Sequence, residues 1–126
     1  MILLDTNYLI RFLVVGSDEA GQVKKWIQQK EELCTSSICW YEFLCGPVDE
    51  EAVILVSSIL EEQILPFSPA HARQAARLFN RCGRKRSLRV DAMVAAAAII
   101  SESVLATENA EDFAPFTSFG LTLMEA

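Results

Sequence analysis

The chain opens on a short apolar run, Ile2-Leu3-Leu4, which stops at once in the polar triplet Asp5-Thr6-Asn7. Similar runs recur at Leu33-Cys34-Thr35, Ile64-Leu65-Pro66-Phe67, Val104-Leu105-Ala106 and Leu121-Thr122-Leu123. Runs this short and unbroken suit strands covered on both faces. Between them the apolar positions recur with a helical period. Ser17 predicts a cap for a helix from Asp18 to Glu31, with Ala20, Val23, Trp26 and Ile27 on one face. Ser36 or Ser37 starts a helix through Ile38, Trp40, Tyr41, Phe43 and Leu44, stopped by Gly46-Pro47. Glu50 to Glu62 forms another helix, and Ser68-Pro69 supplies the cap and first residue of one ending at Gly83. Val90 to Ser101 is the last long helix, and a polar turn covers Thr107 to Asp112. No linker, repeat or low-complexity tract interrupts this alternation. It predicts one α/β domain over residues 1–126, with a mostly parallel sheet and helices on both faces.

Composition narrows the possibilities. A chain of 126 residues is long enough to bury its own core without staples. Its 52% hydrophobic content and mean hydropathy of +0.25 leave apolar surface that a subunit interface could cover. The longest apolar stretch, Ala92 to Ile100, falls far short of the ~20 residues a bilayer requires, so a buried helix is expected there. Met1-Ile2-Leu3-Leu4 lacks the basic start of a signal peptide, so a cytoplasmic protein is expected. A formal net charge of -6 argues against nucleic-acid binding by an overall positive field, but leaves local patches open. The four cysteines, Cys34, Cys39, Cys45 and Cys82, form no C-x-x-C pair, and the single histidine, His71, is distant from the first three. That excludes a zinc site and predicts buried reduced thiols. His71 is expected on the surface of its helix, and a nucleophile triad would lack a second histidine. Trp26 and Trp40 are expected in the core or an interface.

Four acids stand where apolar or capping residues would suffice. Asp5 ends the first strand, Glu42 lies inside an otherwise apolar helix, Asp91 opens the alanine-rich helix, and Asp112 follows the fourth strand. Each has an ordinary use alone: a cap, a solvated helix face, a partner for a helix dipole, a turn residue. Open α/β sheets, however, place their functional crevice beyond the carboxyl ends of the strands, where Asp5 and the turn carrying Asp112 belong. Carboxylates gathered there would have to take up protons unless a cation met them. An oxygen-only donor set suits Mg2+, tolerates Mn2+ and suits zinc poorly. Leading up to Asp91, Arg81, Arg84, Lys85, Arg86 and Arg89 place five of the 11 basic residues within nine positions. They form either a solvated loop or a phosphate-binding one.

Together, LLDTN, Tyr41-Glu42-Phe43 followed by Gly46, VDAMVAAAA and LATENAEDF resemble the PIN domain, in particular the single-domain VapC-type toxin ribonucleases. The order and spacing match over essentially the whole chain. The resemblance implies a three-layer α/β/α sandwich around a mostly parallel sheet, Mg2+ or Mn2+ on an acidic cluster, and hydrolysis of RNA phosphodiester bonds. Carried onto this chain, it makes Asp5, Glu42, Asp91 and Asp112 the catalytic, metal-binding acids, supported by Thr6, Asn7, Thr107 and Asn109. Arg84, Lys85, Arg86 and Arg89 would hold RNA phosphates or meet an inhibitory antitoxin, and a homodimer is implied. The chain departs from the pattern at Glu108, where the family usually carries a basic or polar residue, and some members place the fourth acid at the position of Asn109. Asp112, Asn109 and Glu108 therefore all remain candidates to complete the site. An inactive PIN-like binding module is the alternative function. An aspartyl-phosphate phosphatase fits less well, because Asn7 stands where it would want a second acid.

Overall fold

The computed structural model describes residues 1–125. Its five strands are β1 (Ile2–Leu4), β2 (Leu33–Ser36), β3 (Ile64–Leu65), β4 (Val104–Ala106) and β5 (Thr122–Leu123). They form one sheet in the order β3-β2-β1-β4-β5, and every neighbouring pair is parallel. The first strand in sequence is thus the central one, with Ile2 opposite both Leu33 and Val104. Its three side chains are buried, as a doubly covered strand requires.

The helices are α1 (Thr6–Phe12), α2 (Asp18–Gln28), α3 (Ser37–Leu44), α4 (Glu50–Ile59), α5 (Pro69–Arg81), α6 (Arg89–Ile100) and α7 (Ala110–Phe113). Parallel pairing forces the chain to cross over between neighbouring strands, and these helices make the crossings, giving the expected α/β/α layering. α6 packs against β2, β4, α3 and α5. The buried alanines 92 and 95–98 give it a slim profile for that contact. Phe43, Phe113 and Phe116 are among the largest fully buried side chains. Among the described residues no helix is long and apolar enough to cross a membrane.

The predicted caps hold: Ser17, Ser36 and Ser68 accept hydrogen bonds from the backbone of Ala20, Cys39 and His71. Several boundaries move, each for a local reason. α2 stops at Gln28 because Lys30 adopts φ 61° while Glu31 N–H bonds Trp26 C=O and Lys30 N–H bonds Ile27 C=O, a Schellman closure without glycine. Ile27, expected on the buried face, is exposed. α4 ends at Ile59 in the same way, with Glu61 and Glu62 at positive φ. The third strand shrinks to Ile64–Leu65, since Pro66 has no N–H to give a ladder. Asp112 lies in α7 rather than in an open turn.

Two expectations are corrected. His71 is buried, not on the surface: its Nδ1 lies 3.2 Å from Ser68 N and 2.6 Å from Ser68 Oγ, completing a capping box in which an imidazole replaces the usual Glu or Gln. Only Cys34 and Cys39 are buried thiols, while Cys45 is exposed and Cys82 half-buried. Trp26 is in the core as expected, stacked on Tyr8 with ring centroids 5.8 Å apart.

Candidate functional site

Asp5 begins where β1 ends. Its N–H bonds Ala106 C=O at 3.0 Å, tying the ends of β1 and β4 together, and its carboxylate caps α1. The cap and the buried acid are therefore the same group. Asp5 is only 7% exposed, and neutral donors surround it. Oδ1 accepts from Thr6 N–H at 2.9 Å and from the Cys39 thiol at 3.5 Å, and Oδ2 accepts from the Thr107 hydroxyl at 2.7 Å. These donors fix the carboxylate without neutralising it. Thr6 reaches across to a second acid, its hydroxyl donating to Glu42 Oε1 at 2.9 Å. The Thr107 hydroxyl in turn accepts from Asn109 N–H at 3.0 Å. Three of the four predicted supporting residues thus join one network, and Asn7 makes no side-chain hydrogen bond among the described residues.

Asp91 sits in the first turn of α6 and is half-buried. Its carboxyl is pushed up to about 6, first by burial and then by the negative charges of Asp5, Asp112 and Glu42. Those three acids come from a strand end, a short helix and α3, so the fold brings all four predicted acids into one electrostatic neighbourhood. Glu42 and Asp112 remain exposed. Among the described residues no three acidic, cysteine or histidine side chains are gathered as a metal ion would hold them.

Glu108 lies toward Arg11 and Glu19, with Asp5 also among the charges that act on it. Burial raises its carboxyl first, followed by its contact with Glu19, while Arg11 lies 2.9 Å from Glu19 and 4.0 Å from Glu108. Asp112, and not Glu108, is among the charges acting on Asp91. Asn109 contributes a backbone N–H, not a charge.

The donor chemistry fits a hard divalent cation. The four acids are oxygen donors, no cation is among the charges that act on Asp91, and the nearest sulfur is a buried thiol held near 12 by burial and by Asp5. Cys39 is the residue the sequence reading missed. No spacing in the sequence marked it, because Cys39 meets Asp5 only through the packing of α3 in the folded chain.

The basic segment is built separately. The guanidiniums of Arg84 and Arg89 lie over the Phe79 ring, 5.3 and 5.6 Å from its centroid, and Arg84 also donates to Asn80. Gly83 and Arg84, at φ 88° and 57°, turn the chain out of α5. Lys85 and Arg86 are exposed. Arg89 stands two residues before Asp91 in α6.

A family model described as the PIN domain matches residues 2–115. The chain belongs to the PIN domain family. Solved structures of similar fold include FitAcB from Neisseria gonorrhoeae, 19% identical, with 99% of this chain and 97% of that one covered and a TM-score of 0.72. DNA-bound VapBC from Salmonella typhimurium is 19% identical over 98% of this chain and 96% of that one, with a TM-score of 0.75. A toxin-antitoxin complex from Klebsiella pneumoniae is 24% identical over 90% and 91%, with a TM-score of 0.72. At these identities the likeness is one of fold. No curated protein matches the chain in sequence.

Proposed function

We propose that this PIN domain is a metal-dependent endoribonuclease and the toxin half of a toxin-antitoxin pair, acting as a homodimer in the cytoplasm. One observation carries the catalytic part: four carboxylates share a neighbourhood in which burial, and then the charges of the other three acids, raise Asp91 to about 6, with no basic side chain relieving it. PIN domains are generally nucleases, and the similar structures include toxin-antitoxin complexes, which supports the partner.

Asp5, Asp91, Asp112 and Glu42 would hold Mg2+ or Mn2+. Such an ion supplies a water of lowered pKa and positive charge opposite the leaving oxygen. The protein's share is orientation. Asp5 is held by three neutral donors, so its remaining lone pairs keep a fixed direction. Glu42 is exposed yet tethered through Thr6, a position from which its carboxylate can align the attacking water and accept its proton. Arg84, Lys85, Arg86 and Arg89 would hold the RNA backbone by charge, independent of sequence.

The test is cleavage of an RNA panel by the purified chain with Mg2+, with Mn2+ and with chelator, beside folded Asp5→Asn and Asp91→Asn variants. Cleavage should require metal and disappear in both variants. Cleavage that survives chelation, or survives both substitutions, would place the chemistry elsewhere. A chain that neither binds metal by calorimetry nor cuts any RNA is a PIN-like binding module.

A further inference from the structure

Residues 63–90 contain no aspartate or glutamate, yet they carry seven of the chain's 11 basic residues: Arg73, Arg77, Arg81, Arg84, Lys85, Arg86 and Arg89. In an acidic protein this is a sharp local reversal. Among the described residues none of the seven forms an ion pair, since only Arg11 does. The same segment, α5 and the start of α6, holds an almost wholly apolar groove. Phe67, Ala72, Ala76, Phe79 and Met93 line it together with Arg89. On α5 the lining positions 72, 75, 76 and 79 follow the helical period, so they form one stripe facing α6.

We propose that this groove is a nucleobase subsite, in which an unpaired base of the RNA lies against Phe79 and Met93 while Arg84 and Arg89 hold the adjoining phosphates. The inference rests on the ribonuclease reading and names its substrate class, RNA with accessible unpaired bases.

Charge complementarity decides among occupants. An apolar peptide or a second copy of this chain would fill the groove, but neither joins a flat apolar body to a phosphate charge, and the guanidiniums beside the groove, which lie over the Phe79 ring with Arg84 also bonded to Asn80, have no anionic partner among the described residues. A nucleotide presents a flat apolar face and an anionic phosphate a few ångströms apart, the same pairing that Phe79 and its two arginines offer. A base inside a duplex cannot enter, because its faces are stacked and its edges paired. Arg89 and Asp91 lie in the same turn of α6, so the groove and the acidic cluster share one rigid element.

The experiment is fluorescence anisotropy of the full chain with a labelled, unstructured RNA strand and with the same strand in duplex, both in chelator so that nothing is cut. Two variants are compared with the wild type: Phe79→Leu, which keeps bulk but removes the aromatic face, and Ala76→Leu, which fills the groove from an exposed position. The wild type should prefer the single strand, and each folded variant should lose about tenfold in affinity for it while changing little toward duplex. Should Phe79→Leu fail to fold, Ala76→Leu carries the same test. Equal affinity for strand and duplex, or unchanged strand affinity in a folded variant, overturns the subsite. Metal-dependent cleavage by the wild type alongside unaffected variants would remove the groove alone and leave the ribonuclease reading standing. A chain that neither binds nor cuts RNA would remove both.

Discussion

Two regions of this molecule treat charge in opposite ways. At the carboxyl end of the sheet, Asp5, Glu42 and Asp112 act on the half-buried Asp91 with no basic residue among the charges that reach it. Across α5 and the loop into α6, seven basic residues occupy a stretch without one acid. Exposed ion pairs contribute little to stability, typically well under about 1 kcal/mol, so keeping the two sets apart costs the fold little. What it leaves is two unneutralised fields, one suited to a small cation and one to a polyanion.

The largest break in that comparison is Asp91→Asn. Removing one of four acids should lower RNA cleavage on the order of a hundredfold or more, because metal-borne charge stabilisation amounts to several kcal/mol. Stability should move the other way. Asp91 rises from 3.8 to about 6 on folding. Between those values the folded chain holds more proton than the unfolded chain, so stability falls as pH climbs through that window and stays lower above it. A shift of about 2 units corresponds to at most about 3 kcal/mol, and solvent screening of a half-buried group reduces this to roughly 1 kcal/mol. In chelator, the urea midpoint of the wild type should therefore be lower at pH 7 than at pH 5, with the Asn variant flatter and more stable at pH 7. A wild-type midpoint that rises across the window would mean the acids are not in conflict.

The two regions were unequally legible in the sequence. The apolar runs and serine caps located the sheet and helices, because burial on both faces and capping leave direct compositional marks. Asp5, Glu42 and Asp91 stood out since each interrupts an apolar context, and Asp112 by its place after the fourth strand. His71 did not, because an imidazole replacing Glu or Gln in a capping box leaves no pattern. The ends of α2 and α4 were also hidden, as Lys30 and Glu61 take the left-handed conformation that normally announces itself as glycine. Nor could spacing show Cys39 against Asp5, a contact between residues 34 positions apart that exists only once α3 packs on α1.

The basic side can be sharpened with Arg84→Gln combined with Arg86→Gln. If both side chains hold phosphates, the slope of log affinity against log salt should fall in magnitude by roughly 1.4, about 0.7 for each contact on a single strand. Affinity at low salt should drop severalfold. The measurement is anisotropy of one RNA strand over a salt series in chelator. An unchanged slope would make this loop a solvated feature and shift the polyanion site toward Arg73 and Arg77.

The smallest effect is expected at Cys39, and it asks how firmly the acidic region is held. A thiol is a weak donor, and at 3.5 Å from Asp5 Oδ1 it adds less than the Thr107 hydroxyl at 2.7 Å from Oδ2. Partners that orient metal ligands commonly change metal affinity by about 10- to 100-fold, so Thr107→Val belongs within that range and Cys39→Ala at or below its lower end. Calorimetric titration of Mg2+ into the three proteins should rank them wild type, Cys39→Ala, Thr107→Val. Because Cys39 is fully buried, the alanine also leaves a small void that costs about 1 kcal/mol by urea midpoint. That cost alone, with Mg2+ affinity unchanged, would make the sulfur only a core filler. Lowered affinity at equal foldedness would show the thiol holding Asp5 toward the cation, the contribution of α3's buried side to a charge that its exposed Glu42 also serves.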